Sequence, residues 1–247
     1  MTFCYFCIVE YVFVNIHTHR RTGGGIEVVS AMALSGTLPG KPCSVGIHPW
    51  QVATATAIYR GTSQFVDSSR HFTPLSAPRT MELADLTTAL REVETADVSA
   101  IGEIGLDYAR PIPHTLQAQV FEAQLKIAQQ RGLPVILHCV RAFEPVMEIL
   151  AGYTFPAVIF HGFVGSRQQA ARAVGAGYYL SFGERGLASP KTVEAMKSVP
   201  LSRMFFETDE SDLSIAEIYR LAAALRGIGV DELKSTVYDN YTRIFGA

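Results

Sequence analysis

The sequence has few of the features that are typical of secreted proteins, of membrane-spanning proteins and of proteins that bind duplex nucleic acid non-specifically. Four cysteines in 247 residues are too few for a disulfide framework, which favours a reducing compartment such as the cytoplasm. No apolar run reaches the length of a transmembrane helix, so we expect no membrane association. The formal net charge is only -2, which excludes a general positive field for binding duplex nucleic acid. Any nucleic-acid substrate would have to be bound locally, and no protein partner is implied. The cysteines are Cys4, Cys7, Cys43 and Cys139.

Two segments say little about function. The apolar start, Met1–Ile16, has no basic residue and contains Glu10, which favours a strand over a secretory signal peptide. Cys4 and Cys7 have CxxC spacing, but no second cysteine or histidine pair stands at a zinc-site distance, so we expect ordinary thiols. The segment Gly61–Thr80 is polar and rich in serine, threonine and proline, which predicts a long loop.

Strand and helix patterns alternate along the chain. Short apolar runs rich in β-branched and aromatic residues predict buried parallel strands. Helical patterns lie between them, most clearly at Thr115–Arg131, where Phe121, Leu125 and Ala128 share one face. This alternation, without a glycine-rich nucleotide fingerprint, predicts one α/β domain over residues 1–247: a (β/α)8 TIM-type barrel, regular or distorted. The predicted strands are Tyr11–Ile16, Ser44–Ile47, Val98–Ile101, Pro134–Leu137, Ala157–Phe160, Tyr178–Phe182 and Arg203–Phe206.

Serines and glycines mark the predicted helix boundaries. A serine with glutamine or glutamate three residues later forms a capping box at a helix start, and proline is favoured at the first helical position. Glycine is the usual residue just past a helix end. The start signals are Ser166 with Gln169, Ser189 before Pro190 and Ser214 with Glu217; the end signals are Gly132, Gly152 and Gly227.

Polar residues follow many of the predicted strands, at the barrel end where catalytic groups project. His17 and His19 point to the same face of their strand, roughly 6.6 Å apart along it, and could converge on one ion. Any one of these histidines alone is more often an ordinary core or loop residue. Together with two carboxylates they indicate metal ligands at the C-terminal strand ends. The predicted ligands are His17, His19, Glu103, His138, His161 and Asp209.

Four imidazoles and two carboxylates can hold two divalent cations if one carboxylate bridges, leaving positions for water and substrate. Two such cations can lower the pKa of a bound water from 15.7 toward ~7, which supplies hydroxide at neutral pH. Asp209 is then placed to act as the general base. The imidazole-rich donor set favours zinc or manganese over magnesium. The pattern therefore predicts a metal-dependent hydrolase.

These residues lie within motifs that resemble the TatD family of metal-dependent hydrolases, a branch of the amidohydrolase-like barrels. The resembling stretches occur in the family's order and span nearly the whole chain. The blocks around Glu103 and Asp209 are highly specific in combination. The stretches are Asn15–His19, Gly46–Pro49, Ala100–Tyr108, Gln117–Leu125, Leu133–Cys139, Phe160–Gly165, Phe206–Asp209 and Asn240–Phe245.

The resemblance implies a role for each ligand. Glu103 would bridge the two metals, and His48 would face the substrate, at its phosphate, rather than a metal. By the same resemblance, one metal would be held by His17, His19, Glu103 and Asp209, and the other by Glu103, His138 and His161.

The resemblance also implies an activity: phosphodiester cleavage as a deoxyribonuclease, acting as a 3′ to 5′ exonuclease on DNA. A second hypothesis is ester hydrolysis of the D-aminoacyl-tRNA deacylase type, because both reactions use activated water at an ester. A third, of another class, is a catalytically idle metal-binding scaffold. The sequence alone does not separate them.

Three residues depart from the family pattern. Asn15 replaces an aspartate that commonly opens the first motif, Trp50 replaces a second histidine, and Val140 is an extra residue. Trp50 and Arg141 are candidate substrate contacts, Trp50 by stacking on a base or else by covering the barrel rim.

Other polar residues near the predicted site also invite functional interpretation. Glu207 shares the inward face of Asp209, so we expect it to hydrogen-bond a ligand histidine rather than to be buried for structural reasons alone. Arginines after the strands could bind phosphates or be solvated loop residues. These are Arg20, Arg21, Arg110, Arg141 and Arg167.

Overall fold

The computed structural model describes residues 11–54 and 83–246, and eight parallel strands in these ranges form one sheet. Each strand pairs with the next one in sequence, from β1 to β8. Nearly every strand residue is buried, as expected for a parallel sheet covered by helices. The predicted barrel is confirmed. The strands are β1 Val14–Thr18, β2 Ile26–Met32, β3 Cys43–Gly46, β4 Ala100–Asp107, β5 Val135–Val140, β6 Val158–Phe160, β7 Tyr179–Phe182 and β8 Met204–Phe206.

Helices connect most of the strands and cover the outside of the barrel. The predicted helix at 115–131 is confirmed, one residue longer at its start. Two short 3-10 helices, Pro49–Thr54 and Leu201–Arg203, follow β3 and precede β8. The α-helices are α1 Leu83–Thr95, α2 His114–Arg131, α3 Phe143–Leu150, α4 Arg167–Gly175, α5 Glu184–Leu187, α6 Pro190–Ser198, α7 Ile215–Arg226 and α8 Val230–Phe245.

The sequence prediction misses one strand, β2. Its sequence contains Glu27, which is 2% exposed and interrupts the apolar pattern that the prediction uses. The Glu27 carboxylate accepts hydrogen bonds from the backbone N–H groups of Thr22 and Gly23 and from the Thr22 hydroxyl. These bonds offset the cost of burying a charge, so local donors in the loop before β2 allow a charged residue inside the strand.

The barrel closes between β1 and β8 at the C-terminal ends of the strands. The backbone N–H of Asp209 donates to the carbonyl of His17 at 3.1 Å, and Thr18 pairs with Asp209. The side-chain amide of Asn15 donates to the Thr208 hydroxyl at 2.9 Å and accepts from the Thr208 N–H at 3.0 Å. Asn15 therefore joins the two strands with both a donor and an acceptor.

Most of the predicted helix boundaries are confirmed. Ser166 and Ser214 each form a complete capping box, and Ser189 caps the helix that begins with Pro190. Gly132 and Gly227 end their helices in the left-handed conformation. The prediction for Gly152 is wrong, because α3 ends at Leu150 with Ala151 as a right-handed cap.

Three predictions concern residues outside the described ranges: the strand before residue 11, the ordinary thiols of Cys4 and Cys7, and the loop over Gly61–Thr80. The single-domain boundary also stays a prediction. Among the helices of the described ranges, no helix combines the length and hydropathy needed to span a bilayer.

Candidate metal centre

The first group of candidate ligands lies where β1 and β8 meet. His17 is fully buried, whereas the side chain of His19 is 33% exposed. The Asp209 carboxylate lies 3.3 Å from His19 Nε2 and 3.7 Å from His17 Nε2. Asp209 has φ of 53°, in the left-handed region that aspartate tolerates better than most residues. The HxH pair and the residue after β8 therefore form one cluster.

Glu103 on β4 lies between two groups of histidines. Its Oε2 atom is 3.5 Å from His17 Nε2. Its Oε1 atom is 2.5 Å from His138 Nδ1 and 2.6 Å from His161 Nε2. The two oxygens of one buried carboxylate thus face different imidazoles, which is the arrangement a bridging carboxylate requires.

His138 and His161 are each held by a carboxylate on the ring nitrogen that faces away from Glu103. His161 Nδ1 lies 3.1 Å from Glu207 Oε1, which also accepts the Gly162 N–H at 2.7 Å. His138 Nε2 lies 3.3 Å from Asp107 Oδ2. Such outer carboxylates fix the tautomer and orientation of metal-binding histidines. Glu207 thus makes the contact that was expected of it.

Asp107 is a site residue that the sequence interpretation left without a role. It is 2% exposed and accepts a hydrogen bond from Trp50 Nε1 at 2.6 Å in addition to its contact with His138. Burial acts to raise the pKa of Asp107, but its hydrogen bonds with His138 and Trp50 outweigh burial and lower the pKa to about 2. Strand alternation carried a usable signal, because Asp107 lies four residues after Glu103 and shares its face.

His48 is closer to the candidate ligands than the resemblance implied. Its Nε2 atom lies 3.3 Å from both Glu103 Oε1 and His138 Nδ1. Its Nδ1 atom accepts the backbone N–H of Trp50 at 3.2 Å, and the residue is 7% exposed. His48 therefore belongs to the donor cluster by position, with one nitrogen directed toward Glu103.

Trp50 and the five arginines that follow the strands make different contacts. The Arg110 guanidinium lies 3.9 Å from the centroid of the Trp50 ring and covers one of its faces. Arg20 pairs with Asp212 at 3.0 Å. Arg21 donates to backbone carbonyls, among them that of Gly40. Arg141 and Arg167 are exposed, and Arg141 lines a cavity beside His161.

The electrostatics of the cluster keep its two candidate carboxylate ligands anionic and His17 neutral. Burial and the neighbouring His161 lower the pKa of His17 to about 3, so His17 is neutral. Burial acts to raise the pKa of Glu103, but His161 and His48 outweigh it and hold this pKa well below 4.5. Burial also acts to raise the pKa of Asp209, but its hydrogen bond with His19 and the charge of His17 lower it to about 2.

The residues present fit metal ions. Both ring nitrogens of His17 are buried without a hydrogen-bond partner, although buried polar atoms are nearly always paired. A metal ion would satisfy one of them. Imidazole nitrogens mixed with carboxylate oxygens suit divalent transition metals. Among the residues that the structure describes, four overlapping groups have donor atoms within 4.8 Å of one another: His17, His19 and Asp209; His17, Glu103 and His161; His48, Glu103 and His138; and His161, Glu207 and Asp209.

Comparisons with known proteins find hydrolases and nucleases among the relatives of this chain. The metal-dependent hydrolase YjjV of Escherichia coli (strain K12) is 32% identical over 183 residues, 67% of this chain and 70% of that protein. The 3′-5′ ssDNA/RNA exonuclease TatD of Pantoea ananatis is 31% identical over 192 residues, 66% of this chain and 72% of that protein. The alignments with the first three relatives span 63–72% of those proteins' own lengths.

The fold agrees as well. The crystal structure of the Escherichia coli TatD homologue YjjV covers 95% of this chain and 98% of its own, with a TM-score of 0.72 and 23% identity. At that identity the match supports the fold alone. The family model described as TatD related DNase matches residues 12–246, and the chain therefore belongs to the TatD family.

Proposed function

We propose that this chain is a metal-dependent hydrolase that cleaves phosphodiester bonds in DNA, as a 3′ to 5′ exonuclease. The observation that carries this proposal is Glu103, whose two carboxylate oxygens face separate histidine groups. Two-metal sites of this kind are typical of nucleases and phosphatases. The names of the relatives, which include a deoxyribonuclease and an exonuclease, support the choice of substrate.

The proposed site would hold two divalent cations, zinc, manganese or magnesium, and Glu103 would serve as a ligand to both. When bound, these ions would polarise a phosphoryl oxygen and lower the pKa of bound water. The partly exposed His19 and Asp209 lie on the open side of the cluster, whereas His17 is fully buried. The first cation would be held by His17, His19, Glu103 and Asp209, and the second by Glu103, His138 and His161, with His48 beside it.

Asp209 is the proposed general base. Its side chain is 29% exposed, so water and substrate can reach its carboxylate, whereas Glu103 is almost enclosed. Asp107 and Glu207 keep His138 and His161 oriented by accepting hydrogen bonds from their outer nitrogens. Positioning and proton transfer are therefore assigned to different carboxylates.

The other two hypotheses have less support. The named activities of the relatives favour phosphodiester cleavage over ester cleavage on aminoacyl-tRNA. The intact donor cluster, with its unpaired buried imidazole, argues against a barrel kept only as a scaffold.

The test combines metal analysis with two substrates. Purified protein loaded with Mn²⁺ should hydrolyse bis-p-nitrophenyl phosphate and shorten a 5′-labelled single-stranded oligonucleotide stepwise from its 3′ end. Asp209→Asn should reduce both rates by about 10²–10⁴-fold, the usual contribution of a general base. Asp212→Asn is the matched control, because its carboxylate is fully exposed and pairs only with Arg20 among the described residues.

Each hypothesis predicts a different result. D-aminoacyl-tRNA is therefore added as a third substrate. Bound metal without turnover on any of the three would support the scaffold, and cleavage of D-aminoacyl-tRNA without cleavage of DNA would support the deacylase. Unchanged turnover in Asp209→Asn would remove Asp209 from the chemistry.

A further inference from the structure

A cavity of about 380 Å³ adjoins the candidate metal centre. His161 forms part of its wall, so the cavity borders the donor cluster at this residue. Phe143, Phe160 and Phe163 contribute buried aromatic surface to its lining. The volume lies within the usual range for small-ligand sites, about 300–1,000 Å³. The cavity therefore lies beside the candidate metal centre, and much of its lining is apolar.

The cavity also carries an excess of positive charge. Arg141 and Lys191 line it, and both are exposed. Within residues 11–54 and 83–246, neither side chain forms an ion pair or a hydrogen bond. The carboxylate in the lining, Glu144, is paired with Arg172 at 2.5 Å, so its charge is already compensated.

The two cations come from separate elements that converge beside His161. Arg141 directly follows β5 and has φ of 53°, an uncommon backbone conformation for a residue with a long side chain. Lys191 is the second residue of α6, and Ser189 caps that helix. A guanidinium fork and an ammonium group around one opening suit a phosphate group.

We propose that this cavity binds the nucleotide unit next to the cleaved bond, and that Arg141 and Lys191 bind the phosphate of that unit. This inference rests on the proposed function, in which the metal centre takes the scissile phosphate. A strand of nucleic acid presents a second phosphate one nucleotide away, and the apolar lining takes the sugar and base between them. Lys191 thereby becomes a substrate-binding residue that no strand-end motif indicated.

The test measures whether an additional phosphate on the ligand is recognised by these two cations. Hydrolysis-resistant phosphorothioate dithymidine is titrated into the Mn²⁺-loaded protein in three forms: without a terminal phosphate, with a 5′ phosphate and with a 3′ phosphate. In the unmodified protein, one terminal phosphate should tighten binding by about tenfold or more, as expected for charge-assisted hydrogen bonds. In the double variant Arg141→Ala with Lys191→Ala, that preference should fall below about twofold.

Controls separate this cavity from general charge effects and from the proposed function. Lys197→Ala removes an exposed cation from the same helix, one that pairs with Glu194, and should keep the preference for the phosphorylated ligand. Either no preference in the unmodified protein or an undiminished preference in the double variant would overturn the proposal. Failure of the proposed function appears separately, as absence of phosphodiester turnover in the unmodified protein. Circular dichroism melting of each variant checks that it folds.

Discussion

At the scale of single residues, the contacts of Trp50 indicate what its side chain does in the candidate site. Its indole N–H donates to Asp107, which in turn contacts the outer nitrogen of His138. One ring face is covered by Arg110, so that face is not free to stack on a base. We therefore predict that Trp50 positions His138 through Asp107, while its role as a substrate contact stays a prediction.

Trp50→Phe keeps an aromatic ring but removes the hydrogen-bond donor. We expect it to weaken binding of one of the two metal ions by about 10–100-fold, the usual effect of losing an outer contact of a metal ligand. Isothermal titration with Mn²⁺ or Zn²⁺ measures the two affinities separately. Trp50→His restores a ring N–H at this position and should recover part of the lost affinity. Equal affinities in Trp50→Phe and the unmodified protein would contradict the positioning role.

At the scale of elements, strand ends position the donors and helix caps stabilise the connections. Glu103 and Asp107 share a face of β4, and Gly105 lies between them with φ of 146°. A Cβ atom at Gly105 would lie only 2.0 Å from the carbonyl oxygen of His138. Glycine here allows β4 and β5 to approach closely, which brings Glu103 and His138 into contact.

Ser214→Ala tests the contribution of a cap to stability. Ser214 accepts the Glu217 N–H, and Glu217 in turn accepts the Ser214 N–H. Losing the capping side chain should lower the free energy of unfolding by about 1 kcal/mol. For a chain of this size this corresponds to a fall in Tm of about 2–4 °C, measured by thermal melting. Ser235→Ala removes a hydroxyl within α8 and should change stability by less than about 0.5 kcal/mol. Equal effects of the two substitutions on the free energy of unfolding would mean that the capping hydroxyl of Ser214 stabilises the protein no more than the hydroxyl of Ser235.

At the scale of the whole molecule, candidate ligands from five strands meet in one cluster, so we expect metal binding to be coupled to the folded barrel. β1 supplies His17, and β8 is tied to it through Asn15 and Thr208. The unfolded chain does not hold these donors together. Metal ions that bind only the folded state stabilise it in proportion to their free concentration.

Adding Mn²⁺ or Zn²⁺ to chelator-treated protein should therefore raise Tm by ~5 °C or more when the free metal is about 100-fold above its dissociation constant. His17→Ala should lose most of this increase, because it removes a buried donor from the centre of the cluster. His114→Ala serves as the control, since exposed His114 stacks on Tyr108 outside the cluster. A metal-dependent increase in Tm that is unchanged in His17→Ala would count against His17 as a ligand.

The sequence by itself determined the order of strands and helices, most helix caps and the six residues expected to bind metal. These signals are local, because strand ends, capping serines and the HxH pair are readable within a few neighbouring positions. The tertiary structure decided the rest: β2 with its buried Glu27, the contact of Asp107 with His138 and Trp50, and the convergence of Arg141 and Lys191 on one cavity. The partners of Asp107, and the two cations of the cavity, are distant in sequence and meet only when the barrel folds. The hydrogen-bond donors to Glu27 are close to it in sequence, but the residue is buried only because β2 packs between β1 and β3 in the barrel.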